Sequence, residues 1–206
     1  MKRLFLFLLK YLLFWLLFFS FFRILFFVFY NSIIRAESIP FTDVLKVFYH
    51  ALPLDFSFWG YLMVIPFFIL SVNLFINRPV FQTISDWLTY FYIVLGSLIS
   101  MGEIGIYDEW RTKLNYKALI YLKQPSEVLN SISAGQFVLL ILILIMVVGC
   151  WIFLYRKFFR YPYKIKIAKI WQKITFLLIS PLILFYFIRG GLQGIPISQS
   201  DAWFSN

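Results

Sequence analysis

Between Leu4 and Phe22 every residue except Lys10 and Ser20 is apolar, and the apolar character resumes from Ile24 to Tyr30 after Arg23. No other feature of the chain limits its possible folds as much. A bilayer core about 30 Å thick takes roughly 20 helical residues to cross. A secretory leader, by contrast, has an apolar region of only about 7–15 residues, ending at a small-x-small cleavage site. "MKRLFLFLLKYLLFWLLFFSFF" overshoots that length and no A-x-A pattern comes after it. It reads as a retained first span.

Four more segments reach spanning length, at 56–76, 85–103, 136–155 and 171–188, after the first at 4–30. Each is expected to be helical, because lipid offers no partners to open backbone groups. Composition agrees: 62% of residues are apolar, against about 45–50% in a soluble domain. The expected fold is therefore all-α, a polytopic membrane protein with five transmembrane helices. Pro66 and Pro181 fall inside spans as kinks, and Asp86 and Lys173 trim the third and fifth. No internal repeat is visible, which argues against an inverted-repeat transporter. Asn73 and Ser71, in the second span, are expected to hydrogen-bond to neighbouring helices.

The net charge of +10 adjoins the spans, so it reads as membrane topology and contact with anionic phospholipids, not as nucleic-acid binding. "YRKFFRYPYKIKIAKIWQK" (155–173) carries seven Lys and Arg and no acid. The positive-inside bias places it in the cytoplasm. Counting crossings from there puts the N-terminus and Arg78 inside, and 31–55, 104–135 and the residues after Arg189 outside. The chain then divides into a membrane domain, 1–189, and an extracytoplasmic linker, 190–206. Cys150, the sole cysteine, reads as a small apolar side chain, and no zinc-like Cys/His spacing occurs.

The outer loop is unusually polar. Asp108 with Arg111, and Glu109 with Lys113, stand three and four residues apart with the acid first, the favourable order on a helix surface. Ile104, Tyr107, Trp110, Leu114 and Ala118 recur at helical spacing. Tyr107, Trp110, Tyr116 and Tyr121 suit a membrane interface. An amphipathic helix lying on the outer surface is expected. Its role is either to connect and shield two spans, or to form a platform beneath an outer domain or help shape the mouth of a lipid-binding cleft.

"YDEWRTKLNYKALIYLKQPSEVLNS" resembles the outer loop of the lipoteichoic acid synthase-like, sulfatase-type membrane phosphotransferases, and "IRGGLQGIPISQSDAWFS" resembles the segment by which that family leaves its last helix. One departure is "WRTKL", where relatives tend to carry Gly after the Trp. The resemblance implies a bacterial cytoplasmic membrane and a phosphoglycerol or head-group transferase. It also implies an extracytoplasmic catalytic domain carrying a Thr or Ser nucleophile and a divalent metal, commonly Mn²⁺. On that reading this chain is the membrane part alone, with no catalytic or metal-binding residue of its own.

The candidate residues each carry two readings. Lys10 and Arg23 lie about 20 Å apart along the first helix, so both snorkel to opposite faces, or Arg23 meets a lipid phosphate or Glu103. Glu103 is a partner for Arg23, Arg111 or Arg189, and an ion pair is expected before a general base. Arg189 either caps the last carbonyls of its helix or clamps a lipid phosphate with bidentate geometry. His50 is read as interfacial. Three functions stand: an anchoring, lipid-presenting domain of a cell-envelope enzyme; a self-sufficient small transporter or assembly subunit; and, weakest because the spans lack buried acid/base pairs, an enzyme active within the membrane domain itself.

Overall fold

The computed structural model describes residues 2–110, 134–160, 169–191 and 197–198. Among them there is no strand. The helices are α1 (Lys2–Phe29), α2 (Asn31–Ala36), α3 (Phe41–Ile76), α4 (Val80–Trp110), α5 (Ala134–Leu154) and α6 (Ile170–Arg189), with a π-helical turn at Tyr155–Phe159 after α5. Five of these contain stretches long and apolar enough to cross a membrane: Leu4–Phe29, Phe41–Ile76, Val80–Gly105, Val138–Phe159 and Ile170–Arg189. The all-α polytopic fold is what the apolar runs dictate. The outer-loop helix expected within 104–135 lies largely outside the described residues. Its N-terminal part, through Trp110, continues α4.

Local chemistry sets several helix ends. Pro40, with extended backbone, precedes α3, and Asp43 in the first turn accepts from Lys46 at 2.7 Å. At the other end Asn77 takes the left-handed conformation, φ 51°, which asparagine tolerates better than most residues. The Asn73 carbonyl accepts from the Asn77 N–H at 2.9 Å, and Asn73 Oδ1 accepts from the Arg78 N–H at 3.0 Å. So the Asn73 side chain closes its own helix, besides any bond across to a neighbour. Ser71 Oγ, expected to bond across helices, is buried with no partner among the described residues. The chain divides into two compact units, Met1–Thr89 with Phe158–Asn206, and Tyr90–Lys157.

In the first unit α3 packs against both α1 and α6. Along α1, Leu4, Phe7, Tyr11, Phe14, Phe18 and Phe22 are buried, while Leu6, Leu9, Leu13, Leu17 and Ile24 are exposed. The buried positions recur at three and four residues, one stripe of a helix. The exposed face is equally apolar because its solvent is lipid. In α3 the buried stripe runs Ala51, Asp55, Trp59, Met63, Phe67, Leu70 and Leu74. In α6 it is Phe176, Ser180 and Leu184.

The contacts run antiparallel. Phe19 meets Phe58 and Phe27 meets Phe48 across α1 and α3. Across α3 and α6, Phe67 meets Phe176, and Lys173 Nζ stands 5.1 Å from the Phe75 ring centre. Hydrophobicity gives no net drive between helices in lipid, so close approach through small residues matters more. Gly60 supplies it: a Cβ there would lie 2.8 Å from Ile188 Cγ1.

In the second unit, the later part of α4 buries Ile93, Ser97, Met101 and Ile104, and α5 with its π-turn buries Val147, Trp151 and Tyr155. Tyr90 and Tyr155 meet edge to face at 5.9 Å. Cys150 is a free, exposed thiol.

Candidate functional site

The polar chemistry of the first unit gathers at two levels, set by the roughly 20 Å that separates Lys10 from Arg23 along α1. At the Arg23 level, α1 presents its guanidinium to Asp55 of α3. Nη1 donates to Oδ2 at 2.7 Å and Nη2 to Oδ1 at 2.5 Å. The geometry is fork to fork, the strong form of a charge-assisted pair. Asp55 is 7% exposed at its side chain and Arg23 23%, so neither is simply solvated.

Just beyond Asp55 on α3, Ser57 Oγ donates to the Ile188 carbonyl at 2.7 Å. That bond satisfies an acceptor in the last turn of α6, where carbonyls lack intrahelical donors. α6 ends because Gly190 adopts φ 80° and Gly191 φ 126°. Their N–H groups return to Phe187 and Tyr186 at 2.9 and 3.1 Å, and the Ile197 N–H reaches the Arg189 carbonyl at 3.2 Å. Beside this end lies a groove of about 230 Å³, lined by Pro53, Phe56, Tyr186, Phe187, Gly190 and Gly191. Phe187 anchors it, meeting Phe56 at 5.5 Å and Trp59 at 5.2 Å.

The second level is built on the start of α4. Arg160 donates from Nε and Nη2 to Asp86 Oδ2, both at 2.8 Å. The Thr89 hydroxyl donates to the Ser85 carbonyl at 2.8 Å and stands 3.4 Å from the Tyr11 hydroxyl. Lys10 Nζ approaches the Phe158 carbonyl at 3.4 Å. These contacts tie the N-terminal half of α1 to the end of the π-turn, and the start of α4 to both α1 and the residue that follows that turn.

The candidates read from the sequence separate accordingly. Arg23 is placed on Asp55, a partner that sequence reasoning counts only as a loop acid. Arg189 is the last residue of α6, half-buried and one residue from the groove. Glu103 and Tyr107 lie half-buried on α4, in the second unit. Trp110 closes α4, but its side chain is not among those described. Arg111, Tyr116 and Tyr121 lie outside the described residues.

Sequence reasoning misses Asp55, Ser57 and Arg160 as members of these clusters. A signal for the first exists: an arginine inside one span requires a counter-charge, and Asp55 directly adjoins the second apolar run. Among the described residues no three His, Cys, Asp or Glu side chains come together to hold a metal ion.

Fold and site together define an all-α membrane protein with paired charges between its helices. Comparison with family models, with curated proteins and with solved structures found no match for this chain.

Proposed function

We propose that this chain is the membrane-anchoring and lipid-presenting domain of a cell-envelope phosphotransferase related to lipoteichoic acid synthase. It sits in a bacterial cytoplasmic membrane with its N-terminus inside and its C-terminus outside. It acts with an extracytoplasmic catalytic domain that carries the nucleophile and the metal. The observation that carries this reading is the groove at the end of α6, with Arg189 in the adjoining turn. An aromatic, partly open groove where the last span ends suits the upper acyl region and glycerol of an anionic phospholipid. An arginine one residue along the chain from its lining suits the phosphate. The two stretches of sequence that resemble that family, the outer loop and the exit from the last helix, supply the rest.

The test is to assay this chain joined to its catalytic domain on two donors. Arg189→Ala is expected to lower turnover of a membrane-embedded phospholipid while a soluble head-group analogue reacts normally. Equal loss on both donors counts against head-group clamping. The second reading, a self-sufficient transporter or assembly subunit, is favoured by Asp86, buried near the start of its span and paired with Arg160, since a charge within a span marks an ion or substrate path by default. It gains if activity of the joined enzyme survives Arg189→Ala and ion flux through reconstituted vesicles depends on Asp86.

A further inference from the structure

Where α1 meets the seam between α3 and α6, a small, partly open cavity is lined by Leu8, Trp59, Phe67, Ser180, Ile183 and Leu184. It offers about 20 Å³ to the centre of a water molecule, and on that measure one water needs roughly 10–15 Å³. Two of its wall residues are polar, and both are nine-tenths or more buried: Trp59 and Ser180 are each 4% exposed. Trp59 Nε1 and Ser180 Oγ have no hydrogen-bond partner among the described residues. An indole N–H can only donate, whereas a hydroxyl both donates and accepts. Each buried orphan is costly, and a cavity lined by both residues has room for a water to bridge them. Cavities walled only by apolar groups stay dry; this one is mostly apolar but counts the two orphan-bearing residues in its lining.

The setting gives the cavity a reason. Pro66 adjoins Phe67 in α3, and Pro181 adjoins Ser180 in α6. Each proline withholds the N–H that would reach the carbonyl four residues back, at Leu62 and Leu177. Ordered water and Ser or Thr hydroxyls are the usual means by which membrane helices accommodate such breaks.

We propose that one ordered water occupies this cavity, accepting from the Trp59 indole N–H and hydrogen-bonded to the Ser180 hydroxyl. The site is a binding site for water alone. It makes the α3–α6 seam a hydrated joint, between the tight Gly60–Ile188 approach on one side and the Phe67–Phe176 contact on the other.

The test uses the whole chain in lipid nanodiscs with ¹⁵N-labelled tryptophan. The Trp59 indole signal is assigned by its loss in Trp59→Phe. Water-selective magnetisation transfer should reach that N–H from a water of long residence, and Ser180→Ala should shift the signal and weaken the transfer. The same Ser180→Ala variant should unfold about 2–4 °C lower, the shift expected for one lost hydrogen bond in a chain of this size. In a dry cavity the same change removes a buried orphan hydroxyl and raises Tm. Absence of transfer to Trp59, or a raised Tm, overturns the proposal.

Discussion

Arg23 and Asp55 solve one another's problem. Either alone between packed helices would carry an uncompensated charge, and together they leave little of either group wanting a partner. Removing one member of a buried pair typically costs about 3–5 kcal/mol. Arg23 retains 23% exposure at its side chain, so Asp55→Ala should fall near the lower end of that range. Arg23→Leu with Asp55→Leu should be less destabilising than either single change, because no charge is stranded. Thermal unfolding of the four proteins in one detergent measures the difference. A double variant as unstable as the sum of the singles would mean that the two residues do not act as a pair. At this scale the sequence is only partly informative. It singles out Arg23 as a charge in need of an explanation. It hides Asp55 because that residue sits at the edge of an apolar run, where a loop acid and an intrahelical acid look alike.

Helices are the most legible level, since runs such as Leu4–Phe22 leave the backbone no alternative in lipid. Their limits are less so. α3 begins at Phe41, well before the apolar run at Phe56, and its 36 residues measure about 54 Å at 1.5 Å per residue. That exceeds a hydrocarbon core of about 30 Å, so hydropathy marks the part of the helix suited to lipid and not the helix itself. Which face of each helix packs inward is illegible, because Leu and Phe occupy both faces of α1. Only Gly60 and Ser57 distinguish the α6-facing side of α3. A Cβ at Gly60 would stand 2.8 Å from Ile188 Cγ1 and 3.0 Å from the Ile188 backbone N. The first clash can be relieved by a rotamer change and the second cannot. Gly60→Ala should therefore lower Tm, and adding Ile188→Ala should recover only part of the loss. Full recovery would place the whole clash in the side chain and remove the claim that the two backbones set the spacing.

For the molecule as a whole the question is which way it faces, and two kinds of observation bear on it. Within the first unit, the contacts of Lys10 with Phe158 and of Asp86 with Arg160 gather the start of α1, the start of α4 and the end of the π-turn with the residue after it at one level. Arg23 with Asp55 and Ser57 with Ile188 gather the later part of α1, the earlier part of α3 and the end of α6 at the other. On the proposed topology these two levels belong to opposite sides of the membrane, and the Lys and Arg of 155–173 would choose the compartment. In a Cys150→Ala background, Ser38→Cys and Ser200→Cys should react with an impermeant maleimide on intact cells, and Ala168→Cys only after lysis. Cys150 itself lies mid-span, so its removal clears the background without touching either aqueous face. The reverse pattern would put the Arg189 end in the cytoplasm, away from any extracytoplasmic catalytic domain, and the anchor reading would fall. The helix pairings would stand, because they fix which ends share a side and not which side that is.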